Sequence, residues 1–69
     1  MNERVKHLRK DVLKISQLEF GKRISVSDTT ISKVENGTSV LTERNIKMIC
    51  KEFNVNYAWL VNGEGDIFN

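Results

Sequence analysis

The stretch Gln17-Leu-Glu-Phe-Gly-Lys-Arg-Ile-Ser-Val-Ser-Asp-Thr-Thr-Ile-Ser-Lys-Val-Glu-Asn-Gly37 decides how this chain is read. It holds two short helical patterns, 17–24 and 28–36, separated only by Ser25, Val26 and Ser27. A turn that brief makes the second helix cross the first steeply, which is the helix-turn-helix arrangement. Phe20, Ile24, Val26, Ile31 and Val34 supply the inward positions such a unit needs. Gly21 sits in the middle of the first pattern, where a bare backbone lets the second helix pass closely. Asn36-Gly37 ends the second pattern, glycine being suited to a left-handed stop.

Outward from this pair, one device recurs. An apolar residue precedes Ser, Thr or Asn, and a second apolar residue lies four positions beyond the polar one. It occurs as Ile15-Ser16 with Phe20, Val26-Ser27 with Ile31, Leu41-Thr42 with Ile46, and Val55-Asn56 with Leu60. This is the spacing of a helix N-cap reinforced by a hydrophobic staple. Glu19, three residues after Ser16, adds the pattern of a capping box. Asn2 is a candidate cap for one more helix at the amino end. The helices expected are therefore 2–13 (Val5, Leu8 and Val12 on one face), 17–24, 28–36, 43–53 (Ile46, Ile49, Cys50, Phe53) and 57–62 (Trp59, Leu60). No segment alternates with period two for long, so the expected fold is all-α: a five-helix bundle forming one domain over 1–69, with its helix-turn-helix at 17–36.

Composition narrows the function. At 69 residues the chain has room for one small core. One cysteine and one histidine, Cys50 and His7, allow neither an internal disulfide nor a four-ligand zinc site, so no metal and no cofactor are expected. Cys50 falls on the apolar stripe of its helix and reads as a core thiol, and His7 reads as solvent-facing. No apolar run approaches the length of a membrane span, and the start MNERVKHLRK lacks the apolar core of a signal peptide. A cytoplasmic location is expected. No Ser/His/Asp set, glycine-rich phosphate loop or carboxylate pair can be assembled, so the chain is not expected to be an enzyme. The formal net charge of +2 conceals an asymmetry: residues 1–33 hold eight Lys/Arg against four Asp/Glu, residues 34–69 three against five. The basic half is the half with the helix-turn-helix, which suits a polyanionic partner.

The 17–37 segment resembles the helix-turn-helix of the lambda-repressor-like family, which includes phage Cro and repressor domains and xenobiotic-response-element regulators. The likeness runs on through Thr42–Phe53 to Asn54-Val-Asn-Tyr-Ala-Trp-Leu-Val-Asn-Gly-Glu-Gly65, similar to the V-x-x-x-W-L-x-x-G-E-G tail of prophage regulators of Gram-positive bacteria. It departs from the family in three places. Ser25 stands where the family has a glycine of positive φ, so either this serine is left-handed or the turn differs. The junction Asp11–Ser16 is about one residue longer than usual and lacks the common glycine. The loop Thr38–Leu41 has neither the frequent proline nor the basic residues.

What the resemblance implies is a sequence-specific transcriptional regulator, a phage or prophage repressor on double-stranded DNA, binding a pseudo-palindromic operator as a homodimer. The face of 28–36 opposite Ile31 and Val34 carries Asp28, Thr29, Ser32 and Lys33, one patch by i, i+4 spacing. On a recognition helix this patch enters the major groove. There Lys33 can donate to guanine, Thr29 can meet a thymine methyl, and Asp28 can accept from cytosine N4 or simply suit the helix N-terminus. Phosphate contacts are expected from Gln17, Asn36, Thr38, Ser39, Arg44 and Arg9. Two other readings share the fold: an antitoxin or protein-interaction module, and the DNA-binding part of a longer repressor. The final segment, with Val61, Ile67 and Phe68, either pairs across a twofold axis or folds back over its own core.

Overall fold

A computed structural model describes all residues, 1–69. Five helices follow one another: α1 (Asn2–His7), which continues unbroken as a π-helical stretch over Leu8–Leu13, α2 (Gln17–Arg23), α3 (Asp28–Glu35), α4 (Glu43–Phe53) and α5 (Tyr57–Asn62). The four expected N-caps are all formed. Ser16 Oγ accepts from Glu19 N, Ser27 Oγ from Thr30 N, Thr42 Oγ1 from Asn45 N, and Asn56 Oδ1 from Ala58 N. Each satisfies one of the free N–H groups that every helix start leaves. The capping box at Ser16 is only half made, because the Glu19 side chain turns toward Arg23 at 4.0 Å instead of returning to the Ser16 backbone.

Asn2 does not cap α1. Met1 holds the cap position without a side-chain bond, and Asn2 is already helical, its Nδ2 donating to the Glu35 carbonyl at 3.5 Å. The long junction before α2 also has a physical explanation. One surplus residue in a helix is absorbed when hydrogen bonds lengthen from i+4 to i+5, and Leu8–Leu13 has that geometry. Lys14 then closes the helix in the left-handed region (φ 56°), and its N–H and that of Ile15 both reach the Arg9 carbonyl. A lysine thus occupies the conformation for which the family uses glycine.

Val5, Leu8, Phe20, Ile24, Ile31, Val34, Leu41, Ile46, Ile49, Val55 and Leu60 form one buried cluster drawn from every helix. Val12, Cys50, Phe53 and Trp59 pack partly buried against it. Burial pushes the Cys50 thiol above its ordinary pKa, Glu43 adding to the effect. Phe20 and Phe53 stack with centroids 5.2 Å apart, and the Arg23 guanidinium lies over Phe53 while its Nε donates to Glu52 at 2.7 Å, joining α2 to α4. Arg4 closes the bundle from the other end. Its Nε and Nη2 donate to the Leu60 and Val61 carbonyls, both at 2.9 Å, so the first helix satisfies the open end of α5.

The chain after α5 folds back over its own core. Asn56 N donates to Ile67 O at 2.7 Å, Asn69 N donates to Asn54 O, and Val55 and Phe68 make an isolated antiparallel bridge. Asn56 Nδ2 holds the returning segment through the Asp66 carbonyl at 3.0 Å. Ile67 is packed against the core and Phe68 remains 41% exposed. No helix is long and apolar enough to cross a membrane.

Candidate nucleic-acid interface

The α2–α3 unit owes its geometry to two residues. Gly21 is fully enclosed, and a Cβ there would overlap the Val26 carbonyl, whose own N–H donates back to Gly21 O at 2.8 Å. The close approach at Gly21 is therefore to the backbone of the turn, not to α3 as the spacing alone suggests. Ser25 takes the left-handed conformation (φ 61°), so the turn keeps the family's path with a side chain in the place of hydrogen. Ile31 and Val34 are buried, which turns the opposite side of α3 outward.

On that outward side Asp28, Thr29 and Lys33 are exposed. Asp28 Oδ1 accepts from the Thr29 N–H at 3.0 Å and so serves the start of α3. Lys33 has no ion-pair partner. Ser32 is half-buried and faces a polar groove that runs between the first helix and α3. Gln17 and Asn36 line the same groove, together with Lys6, Arg9, Lys10 and Glu35. The Asn36 side-chain oxygen accepts from Thr38 N at 3.0 Å, which leaves its amide N–H groups free. Thr38 and Ser39 N–H groups both return to the Lys33 carbonyl and fold the loop onto the end of α3. Ser39 lies outside the groove, in an apolar notch with Met1, Val34, Val40 and Leu41. Arg44, exposed in the first turn of α4, is also separate from the groove.

Arg9, another expected site residue, is held on the groove's inner side. Its Nε donates to Glu35 Oε2 at 2.6 Å, its Nη2 to Glu35 Oε1 at 3.0 Å, and its Nη1 to the Ile15 carbonyl at 2.9 Å. The two side chains are 11% and 4% exposed. This fork clamps the first helix to the end of α3 and engages all three guanidinium nitrogens. Donation to Glu35, whose charge adds to the effect, holds the guanidinium still more firmly protonated than usual despite partial burial. Gln17 Nε2 joins the same carboxylate at 3.2 Å. Since a carboxylate only accepts, that bond fixes the amide with its nitrogen inward and its oxygen outward.

Glu35 itself escaped the sequence reading. Nothing local marks it, because its partner lies 26 residues away. The available signal was that Arg9 and Glu35 each directly follow a core residue, Leu8 and Val34. Charged side chains at the border of two apolar stripes are candidates for each other.

Residues 2–66 match the family described as helix-turn-helix domain. The chain is 38% identical over all 69 residues to the antitoxin PezA of Streptococcus pneumoniae serotype 4, and it spans 42% of that protein's length. Among solved structures it is similar to the P22 c2 repressor protein, determined in complex with synthetic operator 9T in the presence of Tl+. The TM-score is 0.79 at 28% identity, covering 91% of this chain and 94% of that one. The five-helix path, the close turn at Gly21–Val26 and the match over nearly the whole length agree: the chain belongs to the helix-turn-helix domain family of DNA-binding folds.

Proposed function

We propose that this protein is a sequence-specific regulator of transcription, a phage or prophage repressor that reads a pseudo-palindromic operator through the major groove with α3. One observation carries the reading. Asp28, Thr29 and Lys33 stand exposed on the side of α3 turned away from Ile31 and Val34, on a helix held by an enclosed turn. Lys33 donates to guanine, Thr29 contacts a thymine methyl and Asp28 disfavours sequences that place an acceptor before it. Ser32, at the groove edge, lies where base and backbone contacts meet. Asn36, Thr38, Ser39 and Arg44, with the backbone N–H of Gln17 at the start of α2, position the head on phosphates. The likeness to a repressor determined with its operator supports this reading.

The protein acts as a homodimer on DNA. Half-sites lie one helical turn apart, about 34 Å, while the Cα frame measures 29 × 22 × 20 Å. Two heads on one face of the duplex then come within side-chain reach of each other. The work is binding, not catalysis, and its place is the bacterial cytoplasm at the nucleoid. Replacing Lys33 or Thr29 by Ala is expected to cost about 1–3 kcal/mol on the operator and to relax the base preference at one position. Unchanged affinity in both variants removes α3 from the reading role.

A second reading has its own support. The 38% identity to PezA favours a DNA-binding head belonging to an antitoxin, in which the same α3 would read the promoter of a toxin gene. A toxin that co-purifies from cell extract with the native protein selects this reading over the phage repressor.

A further inference from the structure

We infer that the groove between the first helix and α3 seats backbone phosphates of the bound duplex, with Lys6 and Lys10 as the residues that hold them. The inference rests on the DNA-binding reading above and assigns it two contacts. Lys6 and Lys10 are i, i+4 neighbours on the first helix, both exposed, and neither has a partner in any ion pair or side-chain hydrogen bond. They form one wall of the groove. Ser32 and Asn36, also i, i+4, form the other, and Gln17 completes the lining with its amide on Glu35. The lining contains no apolar side chain.

The charge balance within this groove is decisive. Its single carboxylate, Glu35, is 4% exposed and already takes two bonds from Arg9 and one from Gln17. Arg9 and Glu35 cancel, so the groove keeps the charge of the two free lysines. The Ser32 hydroxyl and the unengaged amide N–H groups of Asn36 add neutral donors on the facing wall, the Asn36 oxygen being occupied by Thr38 N. Two cations opposite neutral donors suit a phosphate, and the lining offers no apolar contact to a peptide. Ser32 on α3 and Asn36 at its C-cap stand one turn from Thr29 and Lys33. A strand whose bases meet α3 therefore passes its backbone along this groove. The Arg9 charge is balanced by Glu35, so the net charge of the groove comes from its neighbours at positions 6 and 10.

The test is the salt dependence of duplex binding, measured by fluorescence anisotropy on a selected site and on an unrelated duplex. Each phosphate-bound lysine removed lowers the slope of log K against log salt by about 1. Lys6→Ala/Lys10→Ala is expected to lower it by about 2 and to weaken both duplexes by the same factor. Because neither side chain has a partner, thermal melting is expected to be unchanged. Lys51→Ala, on α4 in a separate concavity with Arg23, Met48 and Glu52, is expected to keep the original slope. An unchanged slope in the double variant while the unaltered protein binds DNA overturns the groove assignment alone. An equal loss of slope in Lys51→Ala also overturns it, leaving only a diffuse field. Absence of duplex binding by the unaltered protein, with capture of an acidic peptide instead, overturns the DNA reading itself.

Discussion

Arg9 and Glu35 meet as a fork across 26 residues, Nε to Oε2 at 2.6 Å and Nη2 to Oε1 at 3.0 Å, and so tie the first helix to the last residue of α3. A paired charge this enclosed is costly to break from one side, because the survivor remains buried without its counterion. Glu35→Ala is expected to cost about 3 kcal/mol, a large part of the stability of so small a domain. Urea unfolding checks it. A double-mutant cycle with Arg9→Met is expected to recover much of that loss. Full additivity of the two single losses would show that the fork contributes no coupling.

Gly21→Ala places a methyl against the Val26 carbonyl, and a carbonyl held by its own turn cannot yield as a flexible side chain would. We expect a loss of about 1–3 kcal/mol by overpacking, read as a lower melting temperature, with weakened DNA binding because the turn sets the angle of α3. A neutral substitution would mean that the turn is looser than described.

Ser25→Gly works in the opposite direction. A left-handed non-glycine residue costs about 1–2 kcal/mol, and the flexibility of glycine in the unfolded chain returns only part of that. With φ at 61°, the substitution is expected to raise the melting temperature by about 4 °C. A fall would contradict the strain assigned to the turn.

Tyr57 is the sole tyrosine, and its hydroxyl donates to both oxygens of Glu43, at 2.9 and 2.7 Å. That bond raises its pKa, with partial desolvation and the carboxylate charge adding. A group whose pKa is raised on folding contributes stability below its unfolded value, about 10, and loses it as pH climbs through the folded value. Tyrosinate absorbance is expected to develop at higher pH than in the unfolded chain. In Glu43→Gln the titration should move back toward the unfolded value.

The sequence made some of this plain and concealed the rest for a single reason, the range of the interactions. N-caps and staples join residues two to five apart, so Ser16, Ser27, Thr42 and Asn56 could be read in place, and α4 and α5 begin and end where their patterns do. The surplus residue before α2 was visible as length, but its absorption by a π-helical stretch depends on how Leu8 and Val12 meet the core. Contacts across the bundle left almost no local trace: Arg4 on the α5 carbonyls, Arg23 over Phe53, Glu35 beneath Arg9. The outward face of α3 was legible because Ile31 and Val34 fix its inward face. The groove was not, since its walls come from two helices far apart in the chain.

Whether α3 reads a DNA sequence is decided by selection of bound duplexes from a random library at stated salt. The account predicts enrichment of a twofold-symmetric motif whose half-sites lie one helical turn apart, with the enriched bases changed when Lys33 is replaced. Salt-sensitive retention of duplex with no motif enriched would contradict it, reducing the protein to a non-specific binder of phosphate.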